Sequence, residues 1–112
     1  MKTLSQIGEF GLIERIRSKV KTDHTVLHGI GDDTAVLAYS KNKYLLFTTD
    51  MLIEGVHFSR RQASFSQIGR KSLAVNISDI AAMGGVPKYA VISAGLPIGL
   101  SLRSIDEMMQ GI

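Results

Sequence analysis

The sequence predicts an α+β domain, and three observations lead to that prediction. Local patterns occur in the order helix, β-hairpin, helix, strand and helix, which differs from a regular alternation of strands and helices. Hydrophobic residues make up 45% of the chain and the mean hydropathy is +0.14, which argues against wholesale disorder. The length of 112 residues matches one domain, since domains commonly hold about 100–150 residues.

The first half of the chain is expected to contain one helix and one hairpin. Over residues 9–20, apolar side chains recur at near-helical spacing and charged side chains lie between them. Residues 27–33 combine glycine with aspartate and indicate a loop. Two apolar, β-prone runs at residues 35–39 and 44–49 flank a polar turn at residues 40–43, and this pattern predicts a hairpin.

The second half is expected to contain two helices with a strand between them. Residues 66–83 have strong helical character, and the Gly-Gly-Val-Pro sequence at 84–87 is a standard helix stop. Residues 89–96 form an apolar run that predicts a third strand. Ser104 and Glu107 have the spacing of a capping box, which indicates the start of a final helix.

Composition excludes several classes of function. The chain has no cysteine, so a disulfide framework, a thiolate metal site and a cysteine nucleophile are ruled out. No apolar run approaches the roughly 18–20 residues of a membrane span, and the amino terminus does not resemble a secretory signal. We therefore expect a cytoplasmic protein without a membrane partner. The sequence also lacks the GxxxxGK[ST] pattern of a P-loop.

The basic balance of the chain raises the possibility of a nucleic-acid partner. Lys and Arg number 13 against 10 Asp and Glu, which gives a net charge of +3. The basic residues are scattered, aromatic residues are only 6% and tryptophan is absent, whereas nucleic-acid surfaces concentrate basic residues and often interleave aromatics. These observations favour a solvated basic surface and no nucleic-acid partner, with a nucleic-acid-binding module as an alternative.

Asp79 is the most informative acidic residue. Its predicted helix is apolar nearly all round, so we expect that helix to be largely buried. Ser72, Asn76 and Asp79 are spaced i, i+4 and i+7 and form one polar stripe on it. A buried carboxylate is costly unless it is paired or binds a metal. Asp79 is therefore a candidate metal ligand, and the alternative is an ion pair with Arg70 or Lys71 or a cap on a neighbouring element.

Three other aspartates also lie next to apolar segments in the sequence. The set that we expect to lie away from bulk solvent is Asp32, Asp33, Asp50 and Asp79. If Asp33, Asp50 and Asp79 converge, neighbouring carboxylates about 4 Å apart repel by roughly 4 kcal/mol per pair at an effective dielectric constant near 20, so cations must lie between them. All-oxygen ligation suits Mg²⁺ before Ca²⁺, and Thr48 and Thr49 offer further oxygens.

Glycine and histidine residues extend this hypothesis to a phosphate site. Mg²⁺ held by few carboxylates usually has phosphate as a remaining ligand. Gly29 and Gly31 allow the backbone to approach such a phosphate closely. His57 follows Asp50 closely enough to line the same site, whereas His24 is expected at the surface and His28 in a structural role. The residues thus predict phosphoryl transfer outside the P-loop architecture.

Four segments resemble one known family in order and over nearly the whole chain. They are GEFGLI at residues 8–13, GIGDDTA at 29–35, TTDMLIEGVHF at 48–58 and KSLAVNISDIAAMGG at 71–85. Together they are similar to thiamine-monophosphate kinase. The last segment is shared more widely in the aminoimidazole ribonucleotide synthetase superfamily, while the Gly-Glu-Phe opening and the Glu-Gly-Val-His-Phe segment are specific to the thiamine enzyme.

The resemblance implies ATP- and Mg²⁺-dependent phosphorylation of thiamine monophosphate to thiamine diphosphate by direct transfer, with no catalytic side chain. It implies that His57 contacts the substrate and that Asp33 and Thr48 also bind ATP. The implied metal ligands are Asp33, Thr48, Thr49, Asp50 and Asp79, with Asp32 as a further candidate. It also implies a mixed or antiparallel sheet with helices on one face, whose strands pair across a homodimer to form a β-barrel.

The chain also departs from the family. Residues 1–112 resemble only the amino-terminal ATP- and Mg²⁺-binding dimerisation domain, and we expect the family's carboxy-terminal domain to be absent from this chain. We therefore expect the chain alone to dimerise with little or no kinase activity. The alternatives are a non-catalytic dimerisation or regulatory module, or another ATP-dependent enzyme of the superfamily such as selenophosphate synthetase. The absence of cysteine counts against that enzyme.

Overall fold

The computed structural model describes all 112 residues, and they form three helices and three strands. The chain divides into two units, which we call unit 1 (Met1–Phe47) and unit 2 (Thr48–Ile112). Unit 1 contains one helix and a three-stranded antiparallel sheet, and unit 2 contains two helices. The predicted α+β class is confirmed. None of the helices has the length and apolar character needed to cross a membrane.

The first helix, α1 (Leu4–Arg17), is interrupted at Gly8. A capping box joins Thr3 and Gln6 at its start, and Gly8 then adopts φ +65°, which breaks the helical geometry. The helix predicted over residues 9–20 is present, but α1 begins earlier, at Leu4, and ends earlier, at Arg17. Its apolar face is not buried within unit 1: Phe10 is 85% exposed.

The sheet of unit 1 has the order β1 (Val26–His28), β2 (Ala35–Ser40) and β3 (Lys43–Phe47), with both pairs antiparallel. The hairpin of β2 and β3 confirms the prediction for this region. The prediction of a loop from residue 27 is wrong for the first two residues, because Leu27 and His28 belong to β1. A strand of three residues is too short to show alternation in the sequence and exists here because β2 pairs with it.

A polar turn leads into β1. The hydroxyl and the backbone N–H of Thr25 both donate to Oδ1 of Asp23, at 2.5 and 2.8 Å. These hydrogen bonds favour the charged carboxylate and lower the pKa of Asp23 below its ordinary value. The carbonyl of Thr25 then accepts a hydrogen bond from the N–H of Ala38, which fixes the turn to β2.

The small core of unit 1 lies at the start of β2. Val36 is 8% exposed and Thr34 is 2% exposed. The Thr34 hydroxyl has no hydrogen-bond partner. A buried, unpartnered hydroxyl costs free energy because it has lost its hydrogen bonds to water.

Replacing Thr34 by valine is therefore expected to stabilise the chain. Valine keeps the shape of the side chain and removes the unpartnered group, so the free energy of unfolding should rise by about 1 kcal/mol. Urea unfolding followed by circular dichroism measures the change. Thr34→Ser is the matched control, because it keeps the hydroxyl and loses the methyl group, and it should lower stability. A loss of stability in Thr34→Val would mean that the hydroxyl has a partner.

Unit 2 contains α2 (Phe65–Ala82) and α3 (Leu102–Gly111). The start of α2 is capped by Ser64, whose side chain accepts from the N–H of Gln67, and its bounds lie within one residue of those predicted. The capping box predicted at Ser104 is wrong. Ser101 caps α3 instead, since its hydroxyl oxygen accepts from the backbone N–H of Ser104 at 3.1 Å.

The two helices of unit 2 pack closely through glycine. A Cβ atom added at Gly69 of α2 would lie 2.0 Å from the carbonyl oxygen of Met108 in α3. A Cβ atom added at Gly111 of α3 would lie 1.9 Å from the carbonyl oxygen of Ser66 in α2. Only Ile68 and Gly69 of α2 are buried, so the expectation of a largely buried helix is wrong. Within unit 2, α3 is the only element that covers α2 extensively, and it covers one side.

The predicted strand at residues 89–96 is also wrong: the structure has no strand there. Residues 86–96 make no backbone hydrogen bond, and Tyr89 and Val91 are 98% and 99% exposed. The physical reason is that a strand needs a neighbour, and unit 2 contains no strand that could supply one.

Candidate functional site

Asp79 and Thr48 form a polar contact in unit 2. The Thr48 hydroxyl donates to Oδ2 of Asp79 at 3.3 Å, and both side chains are half-buried. Asp79 lies in the last turn of α2, while Thr48 directly follows β3 in the chain. Neither Arg70 nor Lys71 forms an ion pair with Asp79, so that alternative explanation for this carboxylate is wrong. The Asp79 carboxylate instead accepts a hydrogen bond from Thr48, the first residue of the Thr-Thr-Asp segment at residues 48–50.

The rest of the polar stripe on α2 is satisfied locally. The Ser72 hydroxyl donates to the Gly69 carbonyl at 2.7 Å, and the Asn76 amide donates to the Ser72 carbonyl at 2.9 Å. These bonds follow the i to i−3 and i to i−4 pattern of side chains that fold back on their own helix. Asp79 is therefore the only member of the stripe that this structure joins to another segment.

The Gly-Asp-Asp loop, which consists of residues 31–33, lies in unit 1. The backbone N–H of Asp33 donates to Oδ1 of Asp32 at 2.9 Å, and Gly31 has φ +132°, which favours glycine. Asp32 thus shapes the loop with one of its oxygens. Both aspartates are exposed, and so is Asp50 in unit 2, which contradicts the expectation that these side chains avoid solvent. The backbone turns of short loops leave their side chains at the surface.

A polar cleft accompanies this loop. It has a volume of about 300 Å³. Its lining residues are Arg17, His28, Gly29, Ile30, Gly31 and Asp32. His28 therefore lines the cleft beside the glycines. Arg17 is one of the scattered basic residues expected at the solvated surface, and the sequence contains no signal that would place it in this cleft.

The positions of the predicted metal ligands show which of them could bind Mg²⁺ together. A threonine hydroxyl and a carboxylate on adjacent, half-buried positions form an all-oxygen pair of the type that Mg²⁺ prefers. Thr49 and Asp50 follow Thr48 directly and are exposed. No group of three or more Asp, Glu or His side chains is arranged here to hold a metal ion, so the convergence of Asp33, Asp50 and Asp79 stays a prediction.

His57 belongs to a tightly hydrogen-bonded loop, which we call the His57 loop (residues 53–58). The backbone N–H of Ile53 donates to Nδ1 of His57 at 2.9 Å, and the N–H of His57 donates to the carbonyl of Ile53 at 2.9 Å. Gly55, with φ +81°, donates to the carbonyl of Phe58 at 2.8 Å and closes the turn. The Lys71 ammonium of α2 donates to the His57 carbonyl. The sequence had suggested Lys71 only as a partner for Asp79.

A second cleft adjoins the His57 loop. Its volume is about 510 Å³. The lining residues are Glu54, Gly55, Ser59, Arg60, Arg61 and Phe65. Arg60 is neutralised by Glu54 at 2.5 Å, whereas Arg61 forms no ion pair. The sequence shows the two consecutive arginines, and the structure adds that Glu54 pairs with Arg60 and leaves the charge of Arg61 without an ion pair.

The amino-acid sequence matches one family model and several curated proteins. Residues 31–112 match the family model described as AIR synthase related protein, N-terminal domain. The chain is 42% identical over 109 residues to the thiamine-monophosphate kinase of Aquifex aeolicus, covering 97% of this chain and 33% of the relative. It is 39% identical over 106 residues to that of Bacillus subtilis, covering 95% and 33%. For that of Synechococcus elongatus the identity is 32% over 111 residues, covering 99% and 32%.

These matches cover nearly all of this chain but only part of each relative. The chain spans about a third of the length of the curated relatives it matches. No solved structure matches it. The family model covers the Gly-Asp-Asp loop, the Thr48–Asp79 contact and the His57 loop together. The chain therefore belongs to the AIR synthase related protein family, in the region of that family's amino-terminal domain.

Proposed function

We propose that this chain is the amino-terminal part of an enzyme that phosphorylates thiamine monophosphate with ATP. In this reaction an oxygen of the thiamine phosphate bonds to the γ-phosphorus of ATP. The bond between that phosphorus and the β,γ-bridging oxygen breaks, which gives thiamine diphosphate and ADP. The observation that carries the proposal is the 42% identity, over 97% of this chain, to a protein named thiamine-monophosphate kinase.

The residues supply positioning and charge rather than a covalent step. Thr48 and Asp79 would hold Mg²⁺ through their oxygens, with Asp33, Thr49 and Asp50 as the other proposed ligands. Bound Mg²⁺ neutralises phosphate charge, which is the main catalytic requirement of phosphoryl transfer. The half-buried position of Asp79 supports this role, because burial strengthens the attraction between a carboxylate and a cation.

His57 and ATP contacts complete the proposed site. His57 would bind thiamine monophosphate, and its hydrogen-bonded loop supports that role because the imidazole is held in one orientation. Asp33 and Thr48 would also contact ATP. Asp32, whose Oδ1 is engaged by the loop backbone, is the weakest of the proposed metal ligands. A cytoplasmic location stays a prediction from the sequence.

We also propose that two copies of the chain associate. The apolar residues 86–96 have unpaired backbone groups, and an added strand from a second copy would satisfy them. A barrel formed by strands of both copies would bury these side chains. Sedimentation equilibrium of the purified chain should give a dimer. A monomer at micromolar concentration would contradict the proposal.

The kinase proposal is tested with two proteins. One is the 112-residue chain, and the other is the same chain fused to the remaining two-thirds of the Aquifex aeolicus relative. Chromatographic detection of thiamine diphosphate should show product from the fusion and little or none from the chain alone. The natural relative serves as the positive control. A folded, dimeric fusion that forms no thiamine diphosphate would support a non-catalytic dimerisation module, and formation of selenophosphate would support the other superfamily enzyme.

Replacing His57 by alanine in the fusion is expected to weaken the use of thiamine monophosphate. The KM for thiamine monophosphate should rise about tenfold, because one hydrogen bond to the substrate is lost, while the KM for ATP should change by less than about twofold. Steady-state kinetics with each substrate varied in turn measures both values. His24→Ala is the matched control at an exposed histidine. An equal effect on both substrates would contradict a specific role for His57.

A further inference from the structure

We propose that Lys71 is a positioning residue, which holds the His57 loop so that the imidazole presents its Nε2–H to an acceptor atom of the substrate. The proposal rests on the substrate role proposed for His57. It assigns a function to a lysine that lies on α2, outside the loop and outside the proposed metal site. It also specifies the chemistry of the contact, since the substrate atom that meets His57 must accept a hydrogen bond.

The hydrogen bond from Ile53 defines the tautomer of His57. Because Nδ1 accepts the Ile53 N–H at 2.9 Å, it carries no proton in the neutral imidazole. The proton then resides on Nε2, which becomes a donor. His57 is exposed, so this donor is accessible to a ligand. The orientation of the ring depends on the backbone of residues 53–57, because both ends of the bond belong to the same turn.

Lys71 joins that turn to a helix. Its ammonium donates to the His57 carbonyl across 14 residues of sequence. The other hydrogen bonds of the turn are all local, as in the closing bond from Gly55 to Phe58. Lys71 therefore anchors the loop to α2 at the residue that carries the imidazole. A short loop with only local bonds opens more readily than one that is also tied to a helix.

The nearby charges leave Lys71 available for this role. Glu54, the only acidic residue of the loop, pairs with Arg60 at 2.5 Å, and Asp79 accepts from Thr48. Lys71 forms no ion pair. Its charge is directed at a backbone carbonyl, a geometry that orders the loop rather than neutralising an acid. A charge-assisted bond of this kind is stronger than a neutral one.

Nuclear magnetic resonance tests the positioning step without any substrate. The Ile53 amide nitrogen and Nδ1 of His57 should show scalar coupling across their hydrogen bond. The coupling should persist in Lys71→Arg, which retains a donor. It should weaken or vanish in Lys71→Met. Arg70→Met is the matched control, because it removes a neighbouring charge on the same helix that has no hydrogen bond. Unchanged coupling in Lys71→Met would overturn the proposal.

Kinetics of the fusion protein then separates the possible failures. Lys71→Met should raise the KM for thiamine monophosphate about tenfold with little change in kcat, and Lys71→Arg should restore most of the loss. If His57→Ala raises this KM but Lys71→Met does not, the positioning role is overturned and the proposed function stands. If neither change affects the KM although the coupling is lost in Lys71→Met, the substrate role proposed for His57 has failed, and with it the functional part of this inference.

Discussion

Replacing Asp79 by asparagine is expected to lower thiamine diphosphate formation by the fusion about 10²- to 10³-fold at ordinary Mg²⁺ concentrations. Asparagine preserves the size of the side chain and can still accept the hydrogen bond from Thr48. It removes the negative charge that would attract the metal. The fold should survive, because the position is half-buried and no ion pair is broken.

The control for this prediction is Asp106→Asn. Asp106 is an exposed residue of α3, and the same loss of charge there should leave activity within about twofold. Activity is measured across a range of Mg²⁺ concentrations, and circular dichroism verifies the helix content of both variants. Full activity of Asp79→Asn at ordinary Mg²⁺ would refute the ligand role. Partial recovery at high Mg²⁺ would support it, since the weakened site would then be filled by mass action.

Replacing Gly69 by alanine is expected to destabilise unit 2 strongly. The added Cβ would lie 2.0 Å from the Met108 carbonyl oxygen, and a backbone atom cannot move aside as a flexible side chain can. Helix α3 must therefore shift away from α2. Overpacking of this kind costs about 1–3 kcal/mol or more, whereas alanine in a helix interior contributes only about 1 kcal/mol relative to glycine. We expect a net loss of up to about 2 kcal/mol in the free energy of unfolding.

Urea unfolding monitored by circular dichroism tests this prediction. Gly99→Ala is the control, because its Cβ would meet no atom within 4 Å and its φ lies outside the left-handed region. That variant should change stability by no more than about 0.5 kcal/mol. A gain in stability for Gly69→Ala would show that the helices do not approach as closely as the structure has them.

Sequence patterns predicted the elements whose determinants are local. The β2–β3 hairpin has a polar turn between two apolar runs, and α2 has a serine cap and a Gly-Gly stop, so both were located closely. The cap of α3 was not, because Ser101 and Ser104 are both good capping residues and the choice depends on the backbone of residue 101. The segment 89–96 has strand composition, yet a strand is a property of a pair.

The candidate site likewise contains residues that the sequence predicted and residues that it did not. Asp79 was found because a carboxylate on an apolar helix is energetically unusual, and the structure joins it to Thr48, another predicted residue. Lys71 was not found, because its partner is a backbone carbonyl and carbonyls carry no sequence signal. The exposure of Asp50 was also missed, since adjacency to an apolar strand does not determine where the following side chain points.

The unpaired backbone of residues 86–96 has a consequence for handling the protein. If two copies pair along this segment, as proposed above, folding is linked to association, and the midpoint of thermal unfolding should rise as the protein is concentrated. Lys88 is the only charged residue in the segment, and together with Pro87 it discourages indiscriminate pairing. A chain that is dilute, or newly made and still unpaired, thus presents a template for aggregation and an accessible stretch for proteases.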